Sequence, residues 1–146
     1  MKYLLILVLG VITTSFQFSS NDNNGTVNLK IVINNIKSVK GNIVFGLFNS
    51  SDTFLTKGSE FRAVVEKVTD NTMTLRFTNI PKGVYAFSMF HDINGDGKCN
   101  LSMLARPIEP TAFSNNVKLK FFKPSYESCK FNMHVDRLLT ATLSDI

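Results

Sequence analysis

Apolar and polar residues alternate along most of this chain with a period of two. In Val27–Ile33 the side chains of Val27, Leu29, Ile31 and Ile33 fall on one face. Ile43, Phe45 and Leu47 repeat the pattern, as do Met73, Leu75 and Phe77, which alternate with Thr72, Thr74, Arg76 and Thr78. Successive strand side chains point to opposite sides, so each run predicts a strand with one buried face. Phe61, Ala63 and Val65 predict a third strand with those residues inward. Val84–Phe90 (VYAFSMF) is apolar on both faces and predicts a central strand covered on both sides. Later strands are expected at Val117–Phe122, at Ser128–Val135 with Cys129, Phe131, Met133 and Val135 sharing a face, and at Leu138–Leu143. Turn-rich connections separate these runs. The sharpest is Pro81-Lys82-Gly83, where proline presets φ and glycine permits positive φ. No run carries a convincing helical stripe. About seven or eight short strands, each with a face to hide, predict an all-β, antiparallel two-sheet β-sandwich, Greek-key and immunoglobulin- or prealbumin-like in kind.

The first twenty residues break this pattern. Met1-Lys2 is a short positive start, Tyr3–Ile12 (YLLILVLGVI) is wholly apolar, and Thr13–Ser20 turns small and polar. This is the layout of a signal peptide over residues 1–20, with cleavage between Ser15 and Ser20. The apolar run is shorter than the roughly 20 residues a membrane-spanning helix needs, so no stable span is expected after cleavage. No cysteine follows the run, so a cysteine-anchored lipoprotein is not expected either. Residues 21–26 read as a flexible lead-in and 27–146 as a single domain of ordinary size. The expected location is therefore exported, periplasmic or extracellular. The chain has thirteen Phe and no Trp, and its formal net charge of +5 falls by one when Lys2 leaves with the leader. The basic residues are scattered. Their densest group is Lys118, Lys120 and Lys123 with Lys130 nearby, and alternation makes Lys118 and Lys120 the wet face of a strand. Without an arginine-rich run or an interleaved aromatic–basic motif, a nucleic-acid partner is not expected.

One loop carries candidate chemistry. His91–Asn100 reads HDINGDGKCN. Asp92, Asn94 and Asp96 place oxygens at alternate positions, Gly97 allows a tight turn, Lys98 offers its backbone carbonyl, and Asn100 adds another oxygen. That is the opening of a Ca²⁺ loop, since a hard cation gathers six to eight oxygens. The bidentate acid of an EF-hand would fall at Met103, which cannot serve, and the preceding segment reads as strand. A distal carboxylate would have to complete the site, and Glu109 is the nearest downstream. The same residues are also good metal-free turn chemistry, so both readings stay open.

From this loop onward the chain resembles a bacterial family, domain of unknown function 2141. Residues 83–98 (GVYAFSMFHDINGDGK) are similar to the family's Gly-Tyr-Ala strand running into His-Asp-x-Asn. Pro107-Ile108-Glu109 is followed by Ala112-Phe113-Ser114-Asn115-Asn116, and Pro124-Ser125-Tyr126-Glu127 leads into 129–135. Residues 41–49 (GNIVFGLFN) resemble the family's early strand. The resemblance implies an exported β-sandwich of bacterial origin with no assigned activity. This chain departs from the family at Cys99-Asn100, where Leu-Asp is usual, and at Ala105 and Ala112, where glycine is usual. Asn100 in place of an acid weakens the metal reading, because Asn coordinates without neutralising charge.

Both cysteines of the chain, Cys99 and Cys129, stand where the resemblance would place apolar or small residues, which favours a disulfide between them. On the chain-entropy argument, closing a loop of about 30 residues is worth roughly 3–4 kcal/mol. Two buried thiols are the alternative, and the spacings to His91 and His134 match no standard zinc pattern. His91 and Asp92, adjacent on a strand, should point to opposite faces, which argues against their acting on one substrate atom. The expected function is a non-enzymatic module binding an envelope or extracellular ligand, with a structural Ca²⁺ loop. A hydrolytic enzyme acting on envelope sugar or peptide is the second reading, and needs a cleft joining His91, Asp96 and Glu109. A carrier of a small apolar ligand is the third, and needs a cavity between the sheets.

Overall fold

The computed structural model describes residues 25–104, 106–120 and 122–144. The expected leader, residues 1–20, lies outside the described residues. The described chain is all-β, with eight strands in two sheets. In order they are β1 (Thr26–Asn34), β2 (Asn42–Phe48), β3 (Arg62–Lys67), β4 (Met73–Pro81), β5 (Gly83–Asp92), β6 (Thr111–Phe113), β7 (Phe131–Met133) and β8 (Arg137–Thr142). A 3₁₀ turn at Ser114–Asn116 and a four-residue helix, α1 (Tyr126–Cys129), interrupt the later part.

The alternation read from the sequence becomes burial. In β1 the residues Val27, Leu29, Ile31 and Ile33 are buried between less buried neighbours. One sheet has the order β4–β1–β8, with Ile31 opposite Leu75 on one side and Leu139 on the other. The second runs β3–β2–β5, and β5 carries both β6 and β7 along its far edge. Apolar faces of both sheets meet in one core, where the Phe45 ring lies 5.0 Å from Phe77 and 5.5 Å from Phe87. The β1–β8 pair is parallel, which corrects the expectation of a wholly antiparallel fold.

Three strand expectations are also corrected. In β3, Val64 rather than Ala63 and Val65 turns to the core, and Val65 is 65% exposed. Val64 sits opposite Phe45, and directly opposed residues share a face. Among the described residues, 117–120 and 122 form no strand. Val117 and Leu119 do turn inward and Lys118 and Lys120 outward, but the edge of β5 is already occupied by β6 and β7. Ser128 and Cys129 end a helical turn, with Ser125 accepting the Ser128 N–H at 3.2 Å, so the strand there is only Phe131–Met133 and Val135 is exposed.

β5 is buried on both faces, as expected. Tyr85, Phe87 and Met89 enter the main core. On the other face Ala86 joins Phe113 and Cys129 in a second cluster, with Phe54, Leu55, Val117, Leu119 and Tyr126 packed against it. The long connections therefore fold down as an apolar layer over the second sheet.

The Ser114-Asn115-Asn116 turn joins the pieces. β6 pairs with β5 at Ser88–Phe90 and β7 at Gly83–Tyr85, leaving Phe87 between them without a strand partner on that edge. Ser114, fully buried, fills the gap: its hydroxyl accepts the Phe87 N–H at 2.9 Å and donates to the Phe87 carbonyl at 3.4 Å. Asn115 and Asn116 take positive φ, a conformation Asn tolerates well. The Asn115 amide donates to the carbonyls of Ser128 and Lys130, and Asn116 both donates to Thr140 and accepts from Thr142.

Candidate functional site

The loop between β5 and β6 starts from a buried base. His91 turns inward, and its Nε2 lies 2.7 Å from the Lys40 carbonyl. Gly41, at φ 68°, packs against the backbone of Asp92 and Ile93 so closely that a Cβ would overlap the Asp92 carbonyl. Only glycine combines that φ with that approach.

Asp92 is 1% exposed. One of its carboxylate oxygens accepts the N–H groups of Gly95 at 2.8 Å and Asp96 at 3.1 Å, and the other accepts that of Gly97 at 2.9 Å. Gly95 and Gly97 have positive φ, which curls the backbone so that these N–H groups converge. Glu109, also buried, ties the two limbs of the loop together, accepting from Ile93 N and Asn100 N at 3.2 Å each. Asp96 lies outside, where it accepts the Lys98 N–H at 2.8 Å and side-chain amides of Asn94 and Asn100 at 3.1 Å. The Asn100 amide and the Lys98 N–H hold the Asp96 carboxyl below its ordinary value.

The expected ligands Asp92, Asn94, Asp96, Lys98, Asn100 and Glu109 are thus gathered in one loop. Asp92 and Glu109 collect backbone N–H donors, and Asn94 and Asn100 present their amide N–H groups to Asp96. Among the described residues no group of three His, Cys, Asp or Glu is placed to hold a metal. This is the arrangement that the turn reading describes, in which carboxylates gather N–H groups.

Beyond this tie the loop continues as a small hairpin. Leu101 bridges Pro107, Ser102 N–H donates to Arg106 at 2.6 Å, and Ile108 N–H donates to Asn100 at 2.8 Å. Met103 and Leu104 stand at its tip, 104% and 82% exposed, with Leu101 and Ile108 exposed on its limbs. Phe122 is 87% exposed in the 117–123 segment, and the adjacent Lys123 acts electrostatically on Cys99 at the foot of the hairpin. Lys57 reaches over from the 49–60 connection and donates to the Gly97 carbonyl at 3.2 Å. Sequence reasoning missed this apolar tip. The available signal was LSMLARPI at 101–108, a loop unusually rich in large apolar residues that fit neither strand nor helix periodicity.

A family model described as "Uncharacterized protein conserved in bacteria (DUF2141)" matches residues 31–139. The chain belongs to this family. Comparison with curated proteins gives no match, and comparison with solved structures gives none either. The matched DUF2141 span runs from within β1 to within β8, so it includes strands of both sheets and the whole 92–110 loop. Within that span the His-Asp pair forms the base of the loop, Glu109 ties its limbs, and Ser-Asn-Asn splices the edge of β5.

Cys99 and Cys129 are both free, so the expected disulfide is not present. Cys129 is sealed in the second cluster beside Ser128, whereas Cys99 belongs to the loop near Glu109 and Lys123. Burial pushes both thiols up from their ordinary values; Glu109 adds to the rise at Cys99, and the Ser128 hydroxyl opposes it at Cys129. The hydrolytic reading needs His91, Asp96 and Glu109 in one cleft. His91 is instead closed into the interior, Asp96 is on the surface, and Glu109 is occupied by the loop backbone. Two surface grooves, of about 450 Å³ between Ser51 and Glu127 and about 310 Å³ between β3 and β4, include none of the three. The groove between β3 and β4 borders the core at Leu75 and Phe77, while the Phe45–Phe77 and Phe45–Phe87 contacts occupy the space between the sheets. Among the described residues no helix is long and apolar enough to cross a membrane.

Proposed function

We propose that this chain is an exported, non-enzymatic binding module, a β-sandwich that holds the 93–110 loop out as a fixed contact element. One observation carries the reading. The loop's carboxylates, Asp92, Asp96 and Glu109, are engaged by N–H groups of the loop itself, while Leu101, Met103, Leu104 and Ile108 face solvent. Clustered exposed apolar residues are characteristic of interaction sites. A loop already ordered by its own hydrogen bonds loses little further entropy on contact, which favours binding. Export rests on the leader-like residues 1–20, and the destination is the periplasm or the extracellular face. The module works in this reading without a resident calcium ion, because the loop already has its organising charges in Asp92 and Glu109.

Photo-crosslinking tests the proposal. A photoreactive amino acid replacing Met103 is expected to form adducts with a component of a bacterial envelope fraction. The same group replacing Val65, on the outer edge strand of the second sheet, is expected to form none. Absence of adducts at position 103, or equal labelling at both positions, overturns the reading.

A further inference from the structure

We infer that the partner of this loop is the surface of an anionic lipid bilayer, entered by Met103 and Leu104 at the hairpin tip and by the exposed Phe122 of the later connection. The inference rests on the binding role proposed above and names its partner.

The shape of the apolar residues points this way. Met103, Leu104 and Phe122 project, at 104%, 82% and 87% exposed, and none lines either surface groove. Binding surfaces for small molecules are concave, and protein hot spots are well-packed pockets. Isolated convex apolar tips suit a soft medium that closes around them. The limbs below the tip hold each other. Ser102 bonds to Arg106 and Asn100 to Ile108 within the hairpin, so these polar groups keep partners in an apolar layer.

Charge complements the shape. Lys98 leads into the hairpin, and Lys118, Lys120 and Lys123 are exposed on the same connection as Phe122. Lys57 is fixed at the Gly97 carbonyl. Of the loop's acids, Asp92 and Glu109 are buried, which leaves Asp96 as the exposed negative group against these lysines. Lysine stems can lie along apolar surface while their heads stay among phosphates. Each cation near such a surface strengthens binding about fivefold.

Co-sedimentation with vesicles tests this. The full chain, recovered after export by a bacterial host, is mixed with vesicles of phosphatidylglycerol and phosphatidylcholine, or of phosphatidylcholine alone. All variants share the same N-terminal segment, so its contribution cancels between them. Wild type is expected to bind the anionic vesicles at least about tenfold more tightly than the neutral ones, with the difference lost at about 0.5 M salt. The double variant Met103→Ser, Leu104→Ser is expected to bind at least about tenfold more weakly. Lys98→Glu with Lys123→Glu should abolish the preference for anionic lipid. Both variants should keep the wild-type urea midpoint, because the altered side chains are exposed. Equal binding to both vesicles, or tip variants that bind as wild type, overturns the inference. Absent vesicle binding together with a position-103 adduct to a protein overturns the lipid partner and leaves the binding role standing. Absence of both removes both.

Discussion

Ser114→Ala removes one oxygen atom from the middle of the second sheet. Phe87 faces the gap between β6 and β7, and Ser114 is its partner on that edge through two bonds, an accepted N–H at 2.9 Å and a donated O–H at 3.4 Å. Ser114 is fully buried, so no bulk water stands ready to replace the hydroxyl. A buried group left without a partner costs about 1–3 kcal/mol. The N–H bond is short and should carry most of the loss. The carbonyl bond is long, and an under-satisfied carbonyl is better tolerated. The expected destabilisation is therefore about 2–4 kcal/mol, a large share of the roughly 5–15 kcal/mol that holds an ordinary domain together. Urea unfolding followed by circular dichroism measures it, and the midpoint should fall with little change in slope. Asn115→Gly is the control: it keeps the positive φ at that site and removes only exposed bonds to Ser128 and Lys130, so it should lose about 1 kcal/mol or less. A Ser114→Ala loss below about 0.5 kcal/mol would mean that Phe87 finds other partners, and the splice argument would fail.

Gly41→Ala should be more damaging than Gly95→Ala. Both sites have positive φ, but a methyl at 41 overlaps the Asp92 carbonyl whereas one at 95 meets open space. Losses above about 3 kcal/mol at 41 and about 1–2 kcal/mol at 95 are expected in the same urea assay, and equal losses would refute the close-approach argument. Calcium at about 10 mM should leave the melting temperature within about 1 °C. A site of about 0.1 mM affinity would add about 2.7 kcal/mol and raise it by several degrees, and such a rise abolished by Asp92→Ala would restore the calcium loop. Acid should destabilise through Asp96 and Asp136. Their carboxyls are held below the ordinary value, Asp96 chiefly by the Asn100 amide and Asp136 by the Asn28 backbone N–H and then its amide. A depressed folded value gives stability that is present above the unfolded value and lost as pH falls through the folded one. The melting temperature should therefore fall below about pH 4, and less steeply in Asp136→Asn; an unchanged slope in that variant would contradict the assignment.

Much of the two-sheet fold was legible because β1, β2, β4 and β5 are long enough for alternation to repeat several times. β6 is only Thr-Ala-Phe, too short to show a period, and its pairing with β5 depends on a distant edge. Val117–Phe122 shows the converse. Side chains do alternate over 117–120, but a ladder needs a free neighbour, which local sequence does not announce. The parallel β1–β8 pair is likewise a property of how the chain returns. At the site, Asp92, Asn94 and Asp96 lie in one loop by their spacing alone. Whether their oxygens meet a cation or N–H groups depends on where the glycines turn the backbone. Apolar residues read from sequence are taken as core by default, so the exposure of Met103 and Leu104 was missed although their segment fits neither strand nor helix periodicity. The cysteine pairing rested on replacement of family residues, and the two positions belong to different clusters.

The placement of the ends of β5 gives the molecule a polarity. Lys82 N–H bonds to Gly25 beside its beginning, and Ser144 exchanges backbone bonds with Thr111 near its close. Ten residues of extended chain separate those two ends, about 30 Å. A tether attached ahead of Gly25 would aim the hairpin away from its support, like a probe on a stalk. A fusion placed after Ser144 would crowd it. Sensor surfaces and reporter fusions should therefore be built through the amino-terminal side.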